Sequence, residues 1–179
     1  MSPFRTSPSP SRVLRFAGLV LALGCAAPVS QAAGDWVHDV SDYPSSPLCK
    51  PAEVTLWTCT ARHQTFSLCA QRGPASRHTA IQYRVRDRSG RIVLRYPDPP
   101  RAARSAFTYL SSANGDAEVD FSIGAYGYSL VDPLRDVSFI SVVKNGKEVS
   151  HLSCDEGNQS LQLNDTIALV KALGLAQPR

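Results

Sequence analysis

From Glu53 onward the apolar residues fall into period two, the spacing of half-buried strands. Trp57, Cys59, Phe66 and Leu68 lie on one face of a predicted hairpin turning at Arg62-His63, a register that sets Trp57 opposite Leu68 and Cys59 opposite Phe66. The next alternation is cleaner. Ile81, Tyr83 and Val85 interleave with Gln82, Arg84 and Arg86; after the Asp87-Arg88-Ser89-Gly90 turn, Ile92, Leu94 and Tyr96 interleave with Arg91, Val93 and Arg95. Pairing Val85 with Ile92, Tyr83 with Leu94 and Ile81 with Tyr96 puts all six apolar residues on one face. The other face then carries Arg84, Arg86, Arg91 and Arg95, with Arg86 opposite Arg91, a like-charge pair that an anion would relieve. Two Asn-Gly dipeptides predict further hairpins: Asn114-Gly115 joins residues 106–112 to 116–123, and Asn145-Gly146 joins 137–143 to 148–154. The tail changes period. Asp165 is placed to cap a helix over residues 166–173, ended by Gly174, with Ile167, Val170 and Leu173 toward the core.

These elements predict a mainly β fold, a small antiparallel β-sandwich or barrel of about eight strands with one C-terminal helix. Residues 33–52 are broken by Pro44, Pro47 and Pro51 and predict an irregular N-terminal surface arm, tied down by Cys49, ahead of a single β-rich domain at 53–175.

The first 32 residues read differently. Arg5, Arg12 and Arg15 form a basic leader without acids, residues 16–27 are apolar, and Ser30 and Ala32 put small residues where a signal peptidase reads. The apolar run is 12 residues, short of the about 20 a membrane-spanning helix needs. The reading is a signal peptide over 1–32 with cleavage near Ala32, and a periplasmic or secreted product without stable membrane insertion. Lipid anchoring at Cys25 is the alternative.

Removing the leader changes the chemistry of what remains. The formal +4 becomes +1, because three arginines leave and 16 basic face 15 acidic residues. A near-neutral chain has no global attraction for nucleic acid. The basic residues are nevertheless concentrated: residues 72–104 hold nine arginines against Asp87 and Asp98. That stretch is either a solvated face or a patch for an anionic ligand of the cell envelope. Loss of Cys25 leaves Cys49, Cys59, Cys69 and Cys154, an even set that predicts two disulfides among three possible pairings. In the first hairpin Cys59 and Cys69 point to opposite faces, which disfavours Cys59–Cys69, so one of them reaches Cys154.

His38, His63, His78 and His151 have no metal-ligand spacing, and the chain carries no nucleophile elbow, P-loop or dinucleotide fingerprint. No metal, cofactor or catalytic residue is therefore assigned, and an exported protein-binding module is expected, with a hydrolase using an unrecognised site as a further alternative. Glu118 and Asp120 are an example of carboxylates for such a site, although the outer face of a strand explains them as well. The most unusual stretch is residues 122–129, SIGAYGYS. Glycine allows close approach and tyrosine supplies contact area at low entropy cost. The other reading is a bulge or barrel corner at Gly124 and Gly127, with Tyr126 or Tyr128 in the core.

Two resemblances arise. Over residues 53–154, the Cys59 strand, Ser67-Leu68-Cys69-Ala70, Tyr83-Arg84, Tyr96-Pro97, the aromatic strand near Phe121 and Tyr128, and the Asn-Gly-Lys hairpin before Cys154 resemble a group of small exported bacterial β-rich proteins of unknown function. Residues 122–128 are similar to the inhibitory loop of the periplasmic inhibitors of invertebrate-type lysozyme. That second resemblance implies an envelope protein partner. Ser122 would hydrogen-bond a catalytic carboxyl, Gly124 and Gly127 would let the loop enter, Tyr126 would lie within it, Tyr128 would support or contact it, and a nearby arginine would pair with the second carboxylate.

Overall fold

The computed structural model describes residues 34–177; the leader, its cleavage position and Cys25 lie outside them. Among the described residues, nine strands form two antiparallel sheets. Strands β1 (Glu53–Ala61), β2 (Gln64–Gln71), β3 (Ile81–Arg86) and β4 (Ile92–Tyr96) make a four-stranded sheet in chain order. Strands β5 (Thr108–Ser111), β6 (Ala117–Ile123), β7 (Tyr126–Asp132), β8 (Phe139–Lys144) and β9 (Lys147–Ser153) make a five-stranded one, also in chain order. The sheets face each other across one hydrophobic cluster, with Tyr83 of the first 4.9 Å from Phe121 of the second between ring centres. The fold is an open sandwich rather than a closed barrel, with one more strand than expected.

Local chemistry accounts for the hairpins. The first pairs Trp57 with Leu68 and Cys59 with Phe66, as the alternation predicts, and a bulge between Thr55 and Trp57 lets consecutive residues Val54 to Trp57 all be buried. Both Asn-Gly hairpins form, Asn145-Gly146 as a two-residue turn with both residues at positive φ; Asn114-Gly115 instead lies in a longer loop, closed by the Ser112 N–H to the Asp116 carbonyl, with Gly115 at positive φ. The β3–β4 pairing differs. Tyr83 pairs with Tyr96 and Val85 with Leu94, two residues from the expected register, and a bulge then brings Arg86 opposite Ile92. The turn between them is a five-residue loop closed by Asp87 N–H to the carbonyl of Arg91, and the Asp87 carboxylate accepts from the N–H groups of Ser89 and Arg91. This side-chain-organised turn consumes more residues than a tight one and moves the register.

The helix α1 (Asn164–Leu173) starts ahead of Asp165, so that residue is not its cap; Asp165 instead accepts from the backbone N–H of His38 at 2.7 Å and holds the N-terminal arm. Gly174 ends the helix in the left-handed conformation. Leu169 joins Val170 and Leu173 as its buried apolar residues.

Both disulfides join distant segments: Cys49–Cys69 pins the arm to β2, and Cys59–Cys154 ties β1 to the end of β9. The arm is irregular but not superficial. Trp36, Val37, Tyr43 and Leu48 are buried, and Ser46 lies on the second face of the first sheet with its hydroxyl 2.6 Å from that of Ser67. The buried carboxylate of Asp132 organises the chain after β9, accepting from the hydroxyl of Ser138 and from the N–H groups of Gln159 and Leu161. That segment caps the free edge of β1 through Asp155, Asn158 and Ser160. No helix among the described residues is long and apolar enough to cross a membrane.

Candidate functional site

The SIGAYGYS stretch is the β6–β7 hairpin. Ile123 pairs with Tyr126, so Gly124-Ala125 is a two-residue turn, and Gly124 has φ +60° at its first position, the place where a type II′ turn needs glycine. The partner strand β5 stops pairing at Asp120, leaving Phe121 to Ile123 without a strand on that side. The tip exposes Ser122, Gly124 and Tyr126. Tyr126 is 37% exposed and is held by Lys144, whose ammonium donates to the phenol oxygen at 3.2 Å and sits 4.8 Å from the ring centre.

The two tyrosines divide the earlier alternatives between them. Tyr126 stands exposed at the tip, whereas Tyr128, two residues on along the same face of β7, is half-buried and stacked on Phe121 with ring centres 5.1 Å apart. Burial, with a smaller contribution from Tyr126, raises the Tyr128 phenol above its ordinary pKa. Gly127 is neither bulge nor corner. It pairs regularly with Ser122 and Val143, and a Cβ there would come no closer than 4.0 Å to its neighbours, so the missing side chain leaves a trough in the outer face of the sheet.

That trough belongs to a cleft of about 520 Å³ beside the tip. Its polar lining includes Ser122, Asp120, Ser129 and Arg104, and its aromatic lining includes Tyr96, Phe107 and Tyr128. Arg104 sits in the 3-10 turn Ala103–Ser105 that leads into β5. Neither its guanidinium nor the Ser122 hydroxyl has a side-chain partner among the described residues. The Asp120 carboxylate accepts from the Ser129 hydroxyl at 2.7 Å. Burial and the neighbouring Glu118 raise its pKa to about 6 against the opposing effect of that hydrogen bond.

Asp120 also belongs to a polar row, since strand register places Thr108, Asp120, Ser129, Ser141 and His151 side by side across the outer face of the second sheet. At its far end the Ser141 hydroxyl donates to Glu148 at 2.7 Å, and His151 Nδ1 is 3.3 Å from the same oxygen. The serine is thus bonded to a carboxylate and not to the imidazole that would activate it as a nucleophile.

The four arginines expected to form one patch are separated. Arg84 is 4% exposed. Its guanidinium donates to Glu53 at 2.6 and 2.7 Å, to the carbonyl of Leu48 and to Gln82 Oε1. The cause is the arm, which covers the face that alternation alone assigns to solvent. Arg95 lies exposed opposite Arg84, while Arg86 and Arg91 lie toward the β3–β4 turn and are not paired with each other. Arg104 was missed by sequence reasoning because nothing in its local pattern links it to Ser122; the chain crossing from one sheet to the other brings them together.

Comparison with family models, with curated proteins and with solved structures gives no match.

Proposed function

We propose that this is an exported, disulfide-braced binding module that engages a protein partner with the β6–β7 tip and its cleft, and that the partner is a lysozyme-like enzyme of the cell envelope. One observation carries the reading: Ser122 and Arg104, two donors without side-chain partners among the described residues, line the same cleft next to an exposed hairpin tip. A neutral hydroxyl donor beside a guanidinium suits a cleft containing two carboxyl groups, one protonated and one ionised. Tyr126 adds aromatic contact area, and the stacked Tyr128 makes the base of the tip rigid, which reduces the ordering cost of binding. Two disulfides and the leader reading support an oxidising compartment.

Lysis of cell-wall suspensions by invertebrate-type lysozyme, with other lysozyme classes in parallel, tests the proposal. Micromolar wild-type protein is expected to inhibit at least one class. Ser122→Ala and Arg104→Gln are each expected to weaken inhibition by about tenfold, the order of one charge-assisted hydrogen bond. Full lytic activity of every class in the presence of the wild-type protein would overturn it.

A further inference from the structure

We infer that a second site, at the end of the first sheet, binds a phosphate-bearing ligand through arginines from two hairpin tips. Because β2 pairs with β3 so that Thr65 meets Arg86, the Arg62-His63 tip lies beside the Asp87–Arg91 turn. Arg62, Arg88 and Arg91 line one cleft of about 520 Å³ together with Gln64, Asp87 and Ser89. Arg86 contacts the Thr65 hydroxyl at 3.4 Å.

The site's one carboxylate is taken up within the turn by Ser89 and Arg91. Asp87 accepts at a single oxygen from the N–H and hydroxyl of Ser89 and the N–H of Arg91, and its other oxygen is 3.4 Å from the Arg91 guanidinium. Hydrogen bonds from Ser89, against a smaller opposing effect of burial, keep that carboxyl below its ordinary pKa. Arg62 and Arg88 have no side-chain hydrogen bond or ion pair among the described residues, so two uncompensated arginines line the cleft.

The turn chemistry adds a second observation. Arg62 and His63 occupy a two-residue turn at φ +50° and +62°, positions for which Asn and Gly are the favoured residues. At the first of them stands an arginine, a residue whose backbone preference disfavours positive φ. A tetrahedral phosphate, offering several oxygens to several guanidinium forks, is the ligand chemistry such a cluster fits best. Two sources carry this group, a soluble phosphate compound and the headgroup of a phospholipid.

Pyrophosphate titrated into the wild-type protein at low salt, followed by amide NMR, tests the site. Saturable shifts are expected at residues 62–64 and 87–91, weakening several-fold between 50 and 200 mM NaCl. The double variant Arg62→Gln/Arg88→Gln is expected to lose about tenfold in affinity, and Arg135→Gln, exposed elsewhere, to change less than about twofold. Cosedimentation with phosphatidylglycerol vesicles, competed by pyrophosphate and absent with phosphatidylcholine, assigns a lipid headgroup; pyrophosphate binding without cosedimentation assigns a soluble ligand. No saturable shift and no cosedimentation, or equal losses in the double variant and Arg135→Gln, would overturn the site. Lysozyme inhibition by the double variant is expected to match wild type, which separates failure here from failure at the β6–β7 tip.

Discussion

The four-stranded and five-stranded sheets share one core but differ in what lies on their other faces. The first is covered a second time, by the N-terminal arm, and its β1 edge is capped by the segment after β9. Ser67, Gln82 and Arg84 are consequently buried although they alternate with core residues. The second sheet keeps its outer face open, and strand β6 retains the buried-and-accessible alternation along Ala117 to Phe121. A sheet buried on both sides is a brace, whereas one buried on a single side can present a row of polar groups and a cleft. The first sheet meets solvent chiefly at its hairpin tips and at β4, and that is where its unpaired arginines are found.

The largest effect should come from the bond that ties the two sheets together. Replacing Cys59 and Cys154 by alanine opens a loop spanning 95 residues and is expected to cost about 4.7 kcal/mol, against about 3 kcal/mol for the 20-residue Cys49–Cys69 loop. Urea midpoints compare them, and a larger loss from Cys49–Cys69 would mean that pinning the arm matters more than tying the sheets.

The next effect separates the faces directly. Glu53→Ala strands the Arg84 charge beneath the arm and is expected to cost about 3 kcal/mol, while Glu148→Ala on the open face should cost less than about 0.5 kcal/mol. Similar midpoints for the two variants would erase the distinction between the sheets.

The pH dependence of the two faces should have opposite signs. Burial would raise the Glu53 carboxyl, but hydrogen bonds from Arg84 and from the Lys50 N–H outweigh it and hold the pKa below 4.5. Its contribution is therefore present above the ordinary carboxylate range and lost as pH falls through the native pKa. Asp120 is raised from 3.8 to about 6, so the native state holds its proton more tightly than the unfolded chain. Its contribution is greatest below 3.8 and lost as pH rises through about 6. Asp120→Asn is expected to gain about 1 kcal/mol relative to wild type at pH 7, a gain that closes toward pH 4. Denaturation at a series of pH values measures it; a pH-independent difference would remove Asp120's raised pKa from the account. Smallest of all, Ser122→Ala should leave the unfolding midpoint nearly unchanged, since its hydroxyl has no side-chain partner among the described residues; any loss of inhibition then reports binding rather than folding.

Local chemistry was sufficient for the elements and for much of their pairing. The two Asn-Gly turns, the Trp57–Leu68 register and the exclusion of a Cys59–Cys69 bond all rest on alternation and turn preference, which act over a few residues. The same local rules failed at β3–β4, where Asp87 builds a longer turn from its own side chain and shifts the register by two.

Alternation reports which side of a strand is apolar, not whether the polar side meets water. Arg84 was legible as an outward residue and is buried nonetheless, because an arm whose Cys49 lies 20 residues from Cys69 folds back over it. Arg104 and Ser122, and likewise Arg62 and Arg88, are neighbours only through sheet order and hairpin apposition. The sequence by itself determined most of the strands, the Asn-Gly hairpins and the cysteine parity, because each depends on covalent geometry and local burial pattern; that the Gly-Tyr stretch is an exposed hairpin tip was decided by the sheet around it. Which arginines are paired away and which remain available for a ligand was decided by tertiary structure, because ion pairing and desolvation depend on groups that only long-range packing brings within reach.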